Sequence, residues 1–211
     1  MDPEFWLMKW HNNETGFHEQ EANPNLTQNI HRLSLAPGSR IFVPLCGKTL
    51  DIPWLIKQGY YVVAAELSTI AIAQLCQQLD IIPDSTKIGD ITRYDGPGFT
   101  LFGGDIFHIT PDMLGNIDAV YDRAALVALP FEMRVRYTKH LRDLTGTAPQ
   151  LLITFDYDQQ KMDGPPFAVI ANEVEQHYID HYSITLLHGN EINLKGKVDA
   201  QENVWLLKAG A

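Results

Sequence analysis

Two short apolar runs with a helix-length segment between them constrain this chain most. Arg40 to Leu45 (RIFVPL) and Tyr60 to Leu67 (YYVVAAEL) are nearly continuous in hydrophobic residues and follow turn residues, Pro37-Gly38 and Gly59 respectively. Runs without polar alternation read as strands buried on both faces, and such strands belong to parallel sheets covered by helices. Thr49 to Gln58 reads as the connecting helix, with Gly59 suited to its left-handed terminus. After the second run, Ser68 is a candidate N-cap for a helix that places Ile72, Leu75, Cys76 and Leu79 on one face.

The alternation continues. Phe99 to Phe102, Ile117 to Tyr121 and Gln150 to Tyr157 (QLLITFDY) read as further strands. Pro130 suits the first turn of a helix whose Met133, Tyr137, Leu141 and Leu144 share a face, and Asn172 with Glu175 resembles a capping box. Ser183 to Leu187 and Asn203 to Leu207 follow one another across about 15 polar residues with no helix between them, so this last pair should run antiparallel. Seven strands in this arrangement predict a three-layer α/β fold: a mostly parallel sheet, an antiparallel last strand and helices on both faces. Residues 1–36, rich in Trp, His, Asn and Glu with a short helix around Phe5 to Trp10, read as an N-terminal extension to a sheet domain spanning 37–211.

At 211 residues such a fold buries roughly 70 to 75% of its unfolded surface and needs no covalent staple. The two cysteines, Cys46 and Cys76, are too few for a disulfide scaffold or a structural zinc site, which predicts a reducing, cytoplasmic setting. Sixteen basic against 26 acidic residues give a net charge of −10, contrary to the basic footprint expected of a nucleic-acid binder. The longest apolar stretch, Ala124 to Phe131, is eight residues, and a bilayer span takes about 20. The start, Met1-Asp2-Pro3-Glu4, does not resemble a secretion signal, so the Asn-x-Thr sites at Asn13 and Asn25 read as chance matches.

In open α/β sheets ligands lie outside the carboxyl ends of the strands, and here those ends carry polar residues. Glu66 ends an otherwise apolar strand about 20 residues after the first loop, where nucleotide-binding sheets place an acid against ribose hydroxyls; the plainer alternative is a solvated carboxylate. Cys46-Gly47-Lys48-Thr49 mimics the end of a phosphate loop, but Phe42 stands where its first glycine is required. The three glycines of a dinucleotide fingerprint are missing too, which disfavours a nicotinamide-dependent oxidoreductase. The loop therefore suits a nucleoside ligand without phosphates, such as S-adenosylmethionine. Trp6, Trp10 and Phe17 either cover such a ligand, with a ring face toward the sulfonium, or anchor the extension on the sheet. Arg123 is suited to a carboxylate ligand or to a structural pair with Asp122 or Asp156. His177 and His181 have the spacing of metal ligands on a helix but lack an evident third ligand, so no metal is expected. Cys46 reads as a small core residue.

Several segments together carry a family resemblance: FW, KW and GFH at the start, VPLCGKTLDIPWL, VVAAELS, GGDIF, AVYDRAALVALP, and LLITFDYDQ with MDGPPF. On these the chain resembles the thiopurine S-methyltransferase family, particularly its bacterial members, from Phe5 to about Leu207. The resemblance implies a Rossmann-like class I methyltransferase fold, S-adenosylmethionine as cofactor, and methyl transfer to a small-molecule thiol or a related selenium or tellurium acceptor. By position it implies cofactor contacts at Trp10, Leu45, Glu66 and Arg123, with Asp105 and Ile106 flanking the adenine and Phe17 near the acceptor. A cytoplasmic monomer with no nucleic-acid or membrane partner is expected. Where many relatives have Glu-Glu-Arg before the last strand, this chain has Gln201-Glu202-Asn203, which removes a positive charge from the acceptor side. An adenosyl-ligand binding protein that has lost its activity is the alternative. The Asp163-Gly164-Pro165-Pro166-Phe167 loop is expected to line the acceptor side, with Phe167 as a stacking face.

Overall fold

The structure, a computed structural model, describes residues 3–16 and 18–210. Its elements run α1 (Pro3–His11), α2 (Pro24–Asn29), β1 (Arg40–Val43), α3 (Asp51–Lys57), β2 (Tyr61–Glu66), α4 (Thr69–Gln78), β3 (Asp84–Ile88), β4 (Ile91–Gly96), β5 (Phe99–Gly103), α5 (Pro111–Leu114), β6 (Ala119–Asp122), α6 (Phe131–Thr145), β7 (Gln150–Asp156), α7 (Ala171–Tyr178), β8 (Tyr182–Leu194) and β9 (Val198–Ala209). The sheet has nine strands in the order β3-β4-β5-β2-β1-β6-β7-β9-β8. Strands β5, β2, β1, β6 and β7 are parallel, and an antiparallel hairpin is added at each side.

The α/β architecture and the antiparallel ending agree with expectation, while the strand count is nine rather than seven. The two additional strands form the β3–β4 hairpin. Four of the five β3 residues, Asp84 to Lys87, are exposed, so this edge strand has no buried apolar run to reveal it. At the other end, β8 and β9 are 13 and 12 residues long and meet at a short turn, in place of a 15-residue polar connection. Most of β8 is open to solvent on this edge and takes polar residues, which hides its length.

Apolar side chains fill both sides of the sheet. On one side, Leu26 of α2, Ile52 and Leu55 of α3 and Ile72 and Leu75 of α4 pack on Ile41, Val62 and Leu101. On the other, Tyr137, Leu141 and Leu144 of α6 and Val174 and Tyr178 of α7 pack on Phe42, Val63 and Val120. Ser68 caps α4 as expected, its hydroxyl accepting from Ala71 N at 3.3 Å. Pro130 sits one residue before α6, in the cap position. Asn172 does not cap α7: that helix begins at Ala171, with Ile170 before it and no side-chain cap. Glu173, in its first turn, instead binds the buried guanidinium of Arg134.

The end of β6 is fixed from below by a buried carboxylate. Asp122 is fully buried and accepts hydrogen bonds from Tyr137 Oη of α6 at 2.7 Å and Leu126 N at 3.1 Å. Burial pushes its pKa from 3.8 up to about 6, against the opposing pull of Tyr137 and the backbone N–H groups. The folded chain therefore binds a proton here more tightly than the unfolded chain, and the associated stability is present below the unfolded value and lost as pH rises through about 6. The loss is on the order of 3 kcal/mol. Asn at this position can accept from Leu126 N without titrating. The stability of the parent minus that of Asp122→Asn, from urea unfolding, should thus fall by about this amount between roughly pH 4 and pH 7. A difference independent of pH would show that Asp122 does not hold its proton in the fold.

Candidate functional site

The chain leaves β1 for β2 on one side of the sheet and later crosses to β6 on the other, so the loops after β1 and β6 flank a topological switch point. Two of the seven described non-glycine residues with positive φ stand there. Leu45, just after β1, has φ of 46°, and Ala124, just after β6, has φ of 62°. Left-handed conformations cost a non-glycine residue about 1–3 kcal/mol and concentrate at ligand sites. A third loop, after β5, passes so close to the β3–β4 turn that a Cβ on Gly104 would lie 2.7 Å from Ile91 Cδ1, at a φ of +138°.

Glu66 joins these loops. It is the last residue of β2 and only 6% exposed, so the solvated-carboxylate reading does not hold. Its Oε2 accepts from Gly47 N and its Oε1 from Ser68 N, both at 2.7 Å, tying the loop after β1 to the start of α4. Its own carbonyl accepts from Gly104 N at 2.9 Å. Burial raises the carboxyl pKa, and the backbone N–H groups of Ser68, Gly47 and Leu67 oppose that rise. A carboxylate has about four lone-pair sites, and Glu66 can still accept from hydroxyl donors.

The other expected residues stand on the same edge. Leu45 follows β1, Asp105 and Ile106 follow β5, and Arg123 follows β6. Ile106 is buried, whereas Asp105 is half-buried and caps the turn beyond it by accepting from Phe107 N at 3.0 Å. Trp10 of α1 is buried, and Lys48 Nζ of the β1–α3 loop lies 6.0 Å from its ring centroid. Phe17 lies outside the described residues. A cleft of about 340 Å³ between α1 and the start of α4 is lined by Leu7, Met8, His11, Ser68 and Ile70 among others.

Arg123 pairs with neither Asp122 nor Asp156. Its Nη2 donates to Glu19 of the extension, and Asn23 Nδ2 donates to both Glu19 oxygens at 3.3 and 3.2 Å. Asn23 N donates in turn to the buried carboxylate of Asp51 at 2.7 Å, which also accepts from Tyr121 Oη at 3.1 Å. Glu19 and Asp51 escape sequence reasoning because their partners are distant along the chain. His140 was missed as well: its Nε2 lies 2.8 Å from Ile106 O and anchors the loop after β5 on α6. The Asn23-Pro24 pair is a readable signal, an N-cap followed by a proline in the first helical turn.

Three other candidates resolve simply. The Cys46 thiol is buried, and its pKa is raised well above the ordinary value by burial and then by the Glu66 charge, as suits a core residue. His177 binds Glu173, while His181 lies beyond the end of α7, and no cluster of three potential metal ligands occurs among the described residues. One face of the Phe167 ring has the Arg134 guanidinium 5.8 Å from its centroid, and Pro165 O accepts from Lys195 Nζ at 2.7 Å. Among the described residues no helix is long and apolar enough to cross a membrane.

S-adenosylmethionine presents ribose hydroxyls, an adenine, a sulfonium and an amino-acid tail. The donor set on this edge fits it: a buried carboxylate with unused acceptor capacity, an apolar Ile106, and an arginine for an anionic tail.

A family model described as thiopurine S-methyltransferase matches residues 1–209. The chain is 49% identical over 211 residues to the thiopurine S-methyltransferase of Xanthobacter autotrophicus, covering 99% of each. It is 47% identical over 203 residues to that of Gluconobacter oxydans, covering 95% of this chain and 92% of the relative. Two solved structures share the fold at low identity. Magnesium protoporphyrin IX methyltransferase from Synechocystis PCC 6803 with bound SAM gives a TM-score of 0.65 at 15% identity, covering 99% of this chain and 98% of the other. The 1,6-didemethyltoxoflavin-N1-methyltransferase of Burkholderia thailandensis, with bound S-adenosylhomocysteine, gives 0.69 at 13%, covering 99% and 87%. The chain thus belongs to the thiopurine S-methyltransferase family and is a methyltransferase with S-adenosylmethionine as its cofactor.

Proposed function

We propose that the chain methylates the sulfur of small aromatic or heterocyclic thiols, thiopurines among them, as a cytoplasmic monomer. The observation that carries this reading is the buried Glu66, with two accepted hydrogen bonds and acceptor capacity to spare, at the switch point of a chain whose relatives are named for that reaction. Selenols and related tellurium compounds share the soft, polarisable nucleophile and belong to the same acceptor class. No nucleic acid or membrane takes part.

In this reading Glu66 accepts from the ribose hydroxyls, and Asp105 and Ile106 flank the adenine. Leu45 shapes the loop beneath the ligand. Trp10 and Phe17, carried by residues 1–36, cover the pocket and exclude water, with Phe17 on the acceptor side. Arg123 holds the anionic tail of the cofactor and lends positive charge to an ionised acceptor. S-adenosylmethionine supplies a methyl group activated on a sulfonium. Aromatic thiols ionise readily, so the protein's main task is to bind and orient. Proximity of this kind can account for as much as about 7–11 kcal/mol of a barrier.

Two measurements test the reading. By calorimetry, Glu66→Ala should bind S-adenosylhomocysteine about 10- to 150-fold more weakly than the parent, the range for losing hydrogen bonds to a charged group. Glu66→Gln, closer in shape, should lie between the two, and parent-like binding by both variants would remove Glu66 from the site. Separately, incubation with S-adenosylmethionine and thiophenol should yield the methyl thioether by mass spectrometry. Binding of S-adenosylhomocysteine with no methylation of any aromatic or heterocyclic thiol would sink the acceptor assignment.

A further inference from the structure

The loop after β5 makes its own shape. It starts from Gly104, whose N–H donates to Glu66 O at 2.9 Å, and closes into a single turn over Ile106–His108. Within it Asp105 Oδ1 accepts from Phe107 N at 3.0 Å, and Ile106 O accepts from Ile109 N at 3.1 Å. Bonds internal to a turn fix its form and leave its position to outside partners. On the side of the β3–β4 turn that partner is weak: His108 comes only to 3.8 Å from Asp90, and both side chains are more than half exposed.

Helix α6 is the stronger partner. His140 Nε2 lies 2.8 Å from Ile106 O. A carbonyl only accepts, so this nitrogen carries the proton, and together with Ile109 N it fills both lone pairs of that oxygen. The His140 ring also lies against Phe107, with centroids 5.3 Å apart, and Arg136, one turn earlier, has its guanidinium carbon 3.7 Å from the centre of the same Phe107 ring. The helix is itself fastened to the sheet edge, since Tyr137 donates to Asp122 at the end of β6 and Leu141 is fully buried. His140 therefore refers the position of the turn to the carboxyl ends of the strands, where Glu66 stands.

We propose that His140 is a positioning residue for the cofactor: by holding the carbonyl of Ile106 it sets where residues 105 and 106 stand relative to Glu66, and so the affinity for the adenosyl group. The inference rests on the reading above in which Asp105 and Ile106 flank the adenine. Without the bond, Ile106 O keeps its contact with Ile109 N, so the turn stays formed but is free to shift. The cofactor then has to order the turn as it binds, and affinity falls because the site is no longer organised in advance. That cost is common to the bound ground state and the transition state, so it raises KM for the cofactor and leaves kcat nearly as it was.

The test is the dissociation constant of S-adenosylhomocysteine by calorimetry. His140→Phe keeps a ring against Phe107 and lacks the donor, and should bind about 3- to 10-fold more weakly than the parent. His140→Gln, which carries an N–H at similar reach, should stay within about twofold of the parent. If the Phe variant does not fold, His140→Leu serves as the donor-free form. In turnover with thiophenol, KM for S-adenosylmethionine should rise by the factor seen in binding, with kcat within about twofold. A role confined to the fold would lower the urea midpoint and leave the dissociation constant unmoved. Parent-like binding by the donor-free variant, or an equal loss in the Gln variant, would overturn the proposal. The reading beneath it is tested apart, on the unaltered protein: adding S-adenosylhomocysteine should shift the amide NMR signals of Asp105, Ile106 and Phe107. If those signals stay in place while the ligand binds, the loop after β5 does not flank the adenine and that reading is removed.

Discussion

One buried carboxylate makes the edge of this sheet a single object. Glu66 ends a strand that is otherwise apolar, and removing its charge from water is costly unless donors replace the lost hydration. The donors are Gly47 N, from the loop after β1, and Ser68 N, at the start of α4. Satisfying Glu66 therefore fixes where both loops run, and Gly104 N, bonded to its carbonyl, adds the loop after β5. The two side-chain hydrogen bonds occupy only part of what a carboxylate can accept. An arrangement that had only to be stable would more readily have used an apolar side chain here, so the residual acceptor capacity fits a group retained for a ligand.

The second constraint is how residues 18–33 attach to the sheet. Leu26, Ile30 and Leu33 are buried with Ile41, Cys46 and Ile153, so this segment is part of the core. Its polar attachments run to Asp51, Arg123 and Glu202, three points around the same edge. Breaking one would leave a buried or half-buried polar group without its partner, which costs more than the bond gains when formed. The segment is therefore anchored around the crevice at the places where chemistry would occur, consistent with its proposed role as a cover.

How much of this was readable depended on where each residue's partners lie. Strands β1 and β2 were plain because burial on both faces demands continuous apolar runs, and α4 because Ser68 and its apolar stripe are local signals. The β3–β4 hairpin was not, because an exposed edge strand built from Asp84, Ser85, Thr86 and Lys87 satisfies its backbone without burying side chains. The capping-box pattern of Asn172 and Glu175 misled because α7 begins at Ala171, which puts Asn172 inside the first turn, where Glu173 meets its tertiary partner Arg134. In the site, a charge at the end of an apolar strand made Glu66 conspicuous. Glu19 and Arg123, 104 residues apart, and Asn25 and Glu202, 177 apart, are neighbours only through the fold.

The net charge of −10 has a different bearing once its local distribution is known. A global excess of acid disfavours nucleic acid as a partner but says little about small acceptors, since charges beyond about 10 Å are screened at ordinary ionic strength. Selection among acceptors has to come from charges within that distance and partly shielded from water. Arg123, largely covered and paired with Glu19, is a charge of this kind at the end of β6. In the proposed reading, the pair with Glu19 does not withdraw Arg123 from a ligand. An ion pair with one exposed partner is weak, so the thiolate formed in the site can share the guanidinium, which has several N–H donors to offer.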